Sequence, residues 1–250
     1  MIKNNYRAFI CGIKGKRLSA KEKKFLIKYR PWGIILFSRN INTISQTQKL
    51  TKSIKKIFKN YNYPILIDEE GGRVSRLKNF IDNTIFTAKF FGDLYQNNPK
   101  KFFLYFNIYI KQISHLLKTL GININTVPVL DIRRKNSHNI IDDRSFSSNK
   151  KIIKKIGNLC IENFNKNKIG TVIKHIPGHG LAKVDSHKKL PIVDKNLKYL
   201  IKNDFFTFKK NKSLLGMTGH LLFKEIDNQN VSTHSKKIID IVRKKIQFKN

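Results

Sequence analysis

Acidic side chains are scarce in this sequence: 16 Asp and Glu stand against 51 Lys and Arg, a formal charge of +35. An excess of that size directs attention to nucleic acid or an anionic membrane surface. The lysines, however, run through the whole chain without forming a basic arm or stripe. Asn and Ile are abundant beside them, as codon usage in an A+T-rich genome produces. The charge therefore predicts loose, salt-sensitive association with polyanions and no specific nucleic-acid partner. Cysteine is nearly missing. Two residues, Cys11 and Cys160, make no disulfide framework and fit a reducing compartment. Long apolar runs are missing too, and nothing approaches the ~18 residues of a membrane-spanning helix. The only apolar stretch near the N-terminus, Ala8 to Ile13, is short and meets Lys14, Lys16 and Arg17 at once, unlike a signal peptide. The expectation is a soluble, cytoplasmic chain with no membrane partner.

What is present is a regular alternation of short apolar runs and amphipathic segments. Ala8 to Ile13 reads as a first strand, and Ser19-Ala20-Lys21-Glu22 has capping-box spacing for a helix over 20–29. Gly33 to Phe37 and Pro64 to Ile67 read as strands buried on both faces, with a helix over 45–59 between them. Residues 83–98 look irregular with one short helix. Lys100 to Leu120 is a long helix whose stripe of Phe102, Phe103, Phe106, Ile110, Ile113, Leu116, Leu117 and Leu120 reads as core, with His115 structural. Ile122 to Leu130 is a fourth strand, 150–165 a helix, and Gly170 opens a fifth strand. Asp194 is expected to cap a helix running to Lys210. Leu214 to Thr218 is a sixth strand, followed by a last helix over 235–245. Six strand–helix pairs with polar motifs only at strand C-termini indicate a (β/α) barrel, with a doubly wound open sheet as the alternative.

The densest chemistry lies between Thr171 and Pro191, TVIKHIPGHGLAKVDSHKKLP. A buried strand ends in Lys174 and His175, then in a loop broken by Pro177, Gly178 and Gly180. The loop carries His179 and closes on Asp185-Ser186-His187. A carboxylate two residues from an imidazole can fix its tautomer and raise its pKa, which suits His187 to proton transfer near neutral pH. A solvated loop, or a metal site from His175, His179, Asp185 and His187, are the other readings of these residues. The third strand also ends in charge, Asp68-Glu69-Glu70-Gly71-Gly72-Arg73-Val74-Ser75-Arg76, where arginines can grip oxygens in a fixed fork.

Lys-His-Ile-Pro-Gly-His-Gly followed by Asp-Ser-His resembles the signature of glycoside hydrolase family 3. Within it, the stretch is most similar to the bacterial β-N-acetylglucosaminidases (β-N-acetylhexosaminidases) of peptidoglycan recycling. Ile-Asp-Glu-Glu-Gly-Gly-Arg-Val-Ser-Arg-Leu resembles the family's second signature, and Pro128-Val129-Leu130-Asp131 and Asp142-Asp143-Arg144-Ser145-Phe146-Ser147 match further segments. The resemblance implies a retaining glycosidase that removes terminal non-reducing β-linked N-acetylglucosamine, with a small-molecule sugar or muropeptide as partner and no metal or other cofactor. It implies that His187 is the acid/base and Asp185 its partner. It implies that Asp68, Arg76, Arg144, Lys174 and His175 bind the substrate, with His220 a lesser pocket candidate.

The family fold is α/β, a (β/α)8 TIM-type barrel, of which about six of eight units can be counted over residues 1–250. The family's catalytic nucleophile is an aspartate of the seventh strand, and no residue here matches it. The resemblance thus implies one barrel domain truncated before that strand, with impaired hydrolysis unless a complementing C-terminal fragment supplies the missing part. A degenerate sugar-binding protein that does not turn over is the alternative function, and a basic nucleic-acid-binding protein a third.

Overall fold

The computed structural model describes residues 6–134, 139–184 and 189–249. Its strands in chain order are β1 (Arg7–Gly12), β2 (Pro31–Leu36), β3 (Ile65–Ile67), β4 (Ile124–Asn125), β5 (Gly170–Ile176), β6 (Ile192–Val193), β7 (Leu215–Thr218) and β8 (Leu222–Phe223). Six of them form one parallel sheet in the order β1-β2-β3-β4-β5-β7, while β6 and β8 pair separately. The helices are α1 (Ala20–Tyr29), α2 (Ile44–Phe58), α3 (Ala88–Asn97), α4 (Pro99–Thr119), α5 (Lys150–Lys166), α6 (Leu197–Lys202) and α7 (Lys236–Ile241). The strands and the helices that follow them make a half-barrel, the incomplete (β/α) barrel expected from the motif order. Sequential neighbours in a parallel sheet need a crossover, and the amphipathic helices provide it.

Local signals explain most boundaries. The Ser19 hydroxyl accepts from Glu22 N at 3.1 Å, and Glu22 Oε2 accepts from Ser19 N at 2.8 Å, the two halves of a capping box that starts α1 at Ala20. The fourth strand is far shorter than the nine residues expected. Pro128 has no N–H for the ladder. The segment still runs beside β5, because the carbonyls of Val127 and Pro128 accept from Val172 N and Lys174 N at 3.1 and 3.2 Å.

Two other expectations are corrected. Asn196 rather than Asp194 caps α6, taking Tyr199 N at 2.9 Å, because β6 holds Ile192 and Val193 extended against β8. The helix also stops at Lys202, and a 3-10 segment follows over Asp204–Phe208. Within α4, Phe102 and Phe106 enter the core as expected, but Phe103 is half exposed and His115 faces solvent. The irregular stretch after residue 83 becomes α3, started by the Thr87 hydroxyl.

The sheet has two unequal faces. Ile34, Leu36, Ile65, Ile67 and Ile173 pack outward beneath the helices with Ile54, Phe102, Leu117 and Ile156, all essentially inaccessible. Leu66, Ile124 and Val172 point to the concave side, where Trp32, Ile35, Leu215 and Met217 are only partly covered. Period-two alternation along the strands produces this division, apart from Trp32 at the start of β2, where the alternation breaks. No helix among the described residues is long and apolar enough to cross a membrane.

One close approach fixes the position of the later site. α3 lies so near the loop before α5 that a Cβ on Gly92 would sit 1.6 Å from the Phe146 carbonyl oxygen. That loop carries Arg144. Gly92→Ala should therefore cost about 1–3 kcal/mol or more in urea unfolding. Gly15→Ala, with nothing within 4 Å of the added carbon, should be close to neutral. Equal urea midpoints for the two variants would refute the packing described.

Candidate active site

Three adjacent strands of the sheet, β3, β4 and β5, deliver polar side chains at or just past their C-terminal ends, where a parallel strand's last carbonyls give way to loop. β3 ends at Ile67 and is followed by Asp68, Glu69 and Glu70. The stretch after β4 supplies Thr126 and Asp131, and β5 itself supplies Lys174 and His175. The loop before α5 adds Arg144, in a 3-10 turn over Asp142–Arg144. Asp68, Glu70, Arg144, Lys174 and His175 border a cleft of about 530 Å³, with Arg76, His179, Met217 and His220 also on its wall.

Lys174 is the centre of the arrangement. Its side chain is 2% exposed, and Nζ lies 3.0 Å from Asp68 Oδ1, 2.5 Å from Glu70 Oε1 and 3.0 Å from Thr126 Oγ1. A buried ammonium has three protons to place, and here each has an oxygen. Glu70 is held from its other side by Arg144 in a two-pronged contact, Nε to Oε2 at 2.8 Å and Nη2 to Oε1 at 2.9 Å. Asp68 also accepts from the Thr126 hydroxyl, and Arg76 Nη2 lies 3.7 Å from its Oδ2. Burial works to raise the Asp68 pKa, but the Lys174 ammonium, the hydrogen bonds from Thr126 and Lys174 and the Arg76 charge outweigh it and hold the group at about 2. Glu70 is likewise pushed up by burial and pulled further down by Lys174 and Arg144, so it too stays ionised.

Glu69 has a different task. It is buried, and Oε2 accepts from Ser75 Oγ, Arg76 N and Leu77 N at 3.1, 2.8 and 3.1 Å, while Oε1 takes Asn83 Nδ2 at 2.5 Å. It pins the loop that carries Arg76. Arg73 joins that loop to its neighbour, donating to Asp143 Oδ1 at 2.7 Å and to the carbonyls of Asn139 and Ile140.

A second cluster adjoins the first. Asp131 is fully buried, and its Oδ2 lies 2.6 Å from His175 Nδ1. The Lys174–His175 peptide is cis, and both neighbouring side chains reach the cleft. His179 is almost fully buried at the root of the loop. Burial lowers its pKa below the usual value, against the pull of Asp131, so its ring is neutral at pH 7.

The structure thus brings Asp68, Arg76, Arg144, Lys174 and His175 into one cleft, and His220 sits at its exposed rim. Asp185 and His187 lie outside the described residues. Among the described residues no group of three or more His, Cys, Asp and Glu is arranged to hold a metal, so His175 and His179 do not assemble one by themselves. Three contributors were not assigned from sequence: Glu70, Thr126 and Asp131. The acidic run 68–70 and the strand-end Asp131 were visible, but which carboxylate meets which cation depends on pairings across 44 to 106 residues.

A parallel half-barrel with its charged groups gathered at the strand C-termini has the layout of the (β/α)-barrel enzymes. The chain belongs to glycosyl hydrolase family 3: that family's N-terminal domain matches residues 7–250. It is 31% identical over 217 residues to the β-hexosaminidase A of Pseudoalteromonas piscicida, covering 83% of this chain and 36% of that protein. It is 29% identical over 247 residues to the β-hexosaminidase of Haemophilus influenzae, covering 96% of this chain and 68% of that one. Among solved structures it is similar to NagZ from Neisseria gonorrhoeae in complex with N-trifluoroacetyl-D-glucosamine. That match has 27% identity and a TM-score of 0.86, over 98% of this chain and 72% of that one. The chain therefore spans between about a third and about two-thirds of the length of these two curated relatives.

The ion cluster makes a pH-dependent prediction. Asp68 and Glu70 are held below their ordinary values, so the folded state binds fewer protons than the unfolded chain. Their stabilisation is complete above about pH 5 and is lost as the pH falls towards 2. Lys174→Met leaves two buried carboxylates facing each other and should cost about 3–5 kcal/mol at pH 7. The loss should shrink at pH 4, where the unpaired carboxylates of the variant take up protons. Urea unfolding at both pH values checks this, and an equal loss at each would overturn it.

Proposed function

We propose that this chain forms the sugar-binding face of a retaining β-N-acetylglucosaminidase that removes terminal non-reducing β-linked N-acetylglucosamine from muropeptides in cytoplasmic peptidoglycan recycling. The observation that carries the reading is the convergence of Asp68, Arg76, Arg144, Lys174 and His175 on one cleft in a family 3 fold. A sugar ring presents hydroxyls that donate and accept in turn. Arg76 and Arg144 only donate, and ionised Asp68, held by Lys174, only accepts. Together they can pair both ends of adjacent hydroxyl groups and fix the ring over the strand ends.

The chemistry needs an acid/base on one face of the glycosidic bond and a nucleophile on the other. His187, oriented by Asp185, is assigned the first role. It protonates the leaving oxygen as the sugar moves to the nucleophile, then removes a proton from the water that releases it. The second role has no candidate among the described cleft residues: Asp68 and Glu70 are engaged by Lys174, and Asp131 by His175. We assign the attacking carboxylate to a segment outside these 250 residues, in the same or a complementing polypeptide. The same engaged carboxylates favour, as a second reading, a sugar-binding protein without turnover.

Two measurements test the assignment. Titration with N-acetylglucosamine should give binding, and Arg76→Ala should weaken it by roughly 1–3 kcal/mol, the cost of a lost charged hydrogen bond. With a nucleophile-bearing segment supplied, an aryl β-N-acetylglucosaminide should be hydrolysed, and His187→Ala should lower the rate about 10²–10⁴-fold. Rapid hydrolysis by the 250-residue chain alone would refute the external nucleophile. No activity with the segment present, alongside intact sugar binding, would favour the second reading.

A further inference from the structure

Among the described residues Asp131 makes no ion pair with a lysine or arginine, does not border the cleft, and is one of the most completely buried charged groups. Its two oxygens receive three N–H groups. Oδ2 takes His175 N at 3.1 Å and faces His175 Nδ1 at 2.6 Å, and Oδ1 takes His179 N at 2.6 Å. An ionised carboxylate has no proton to give, so the ring nitrogen facing it must carry one. The other ring nitrogen, Nε2, is then the one His175 has left for the cleft. The remaining cleft cations, Lys174, Arg76 and Arg144, are donors only. Acceptors for a ligand's hydroxyl protons are correspondingly few.

We propose that Asp131 is a positioning residue that holds His175 as the Nδ1–H tautomer, so that Nε2 accepts a hydroxyl proton from the bound sugar, and that its grip on His179 N–H fixes the root of the adjoining loop in the same act. The proposal rests on the sugar-binding reading of the cleft. The surroundings agree with an ionised Asp131: burial acts to raise its pKa, but His175 and His179 outweigh it and leave the group below the ordinary value. The other charged groups that face it are Arg144, from the turn before α5, and Asp204, from the 3-10 segment after α6. Arg144 reinforces the ionised form. Asp204 opposes it, but Arg134 lies against Asp204 at 2.9 Å.

The test uses the 250-residue chain with 15N-labelled histidine, and His175→Gln identifies the His175 signals by their loss. In the wild type at neutral pH, His175 should carry its proton on Nδ1; an Nε2–H ring would overturn the proposal without any substitution at Asp131. Asp131→Asn keeps the shape but offers one acceptor and one donor to three N–H groups. It should move His175 towards the Nε2–H tautomer and weaken N-acetylglucosamine binding about 10–100-fold. In the His175→Gln background the same substitution should add less than about 2-fold, since its effect passes through His175. Full additivity of the two losses, or an unchanged tautomer in Asp131→Asn, would overturn the proposal. If Asp131→Asn fails to fold, the wild-type tautomer decides. If the wild type binds no sugar, the functional reading fails, while the tautomer still decides whether Asp131 sets the ring.

Discussion

A buried ammonium must be surrounded by oxygens or it loses its charge, and Lys174 meets that constraint at the centre of this molecule. Its three partners come from two neighbouring strand ends: Asp68 and Glu70 after β3, and Thr126 after β4. Satisfying one side chain therefore fixes the spacing of three adjacent strands at their C-terminal ends. Arg144 extends the arrangement to a fourth element, because Glu70 has a second oxygen to share. Glu69 then holds the loop that carries Arg76. The site is a set of buried charges that cancel one another only in this geometry. An isolated buried ion pair adds little to stability, but one left half-made costs several kcal/mol, so the network defines one arrangement rather than deepening it.

Around that network the fold does plain work. The β-branched strands bury one face under helices, and the concave face carries Leu66, Ile124 and Val172 below the charged rim. Gly92 lets α3 approach the backbone at Phe146, which seats the turn bearing Arg144. Distant glycine, loop and arginine thus belong to one positioning chain, although Gly92 itself does not line the cleft.

Much of this was legible in the sequence where the cause is local. The capping box at Ser19, the apolar runs of β2, β3 and β5 and the polar residues at their ends depend on neighbours a few positions apart. So do the Gly and Pro breaks after Ile176. The family motifs named Asp68, Arg76, Arg144, Lys174 and His175, and these five side chains line one cleft. What the sequence could not yield depends on contacts remote along the chain. Glu69 and Glu70 are adjacent and chemically alike, yet one pins a loop and the other meets two cations. β4 shrank because Pro128 interrupts its ladder. The cap of α6 moved from Asp194 to Asn196 because β8, thirty residues on, holds the intervening segment straight.

Vectorial synthesis gives the separation of Lys174 from Asp68 a further meaning. The two are 106 residues apart. At about 5–20 residues per second, a ribosome releases the carboxylates roughly 5–20 s before their ammonium. During that interval Asp68 can meet Arg76 and Thr126, and Glu70 can meet Arg144, but the ammonium that both carboxylates share is missing. Emergence of the fifth strand ends the wait. The contact that joins both carboxylates is therefore the last part of the cluster to be completed, however well the N-terminal helices have formed.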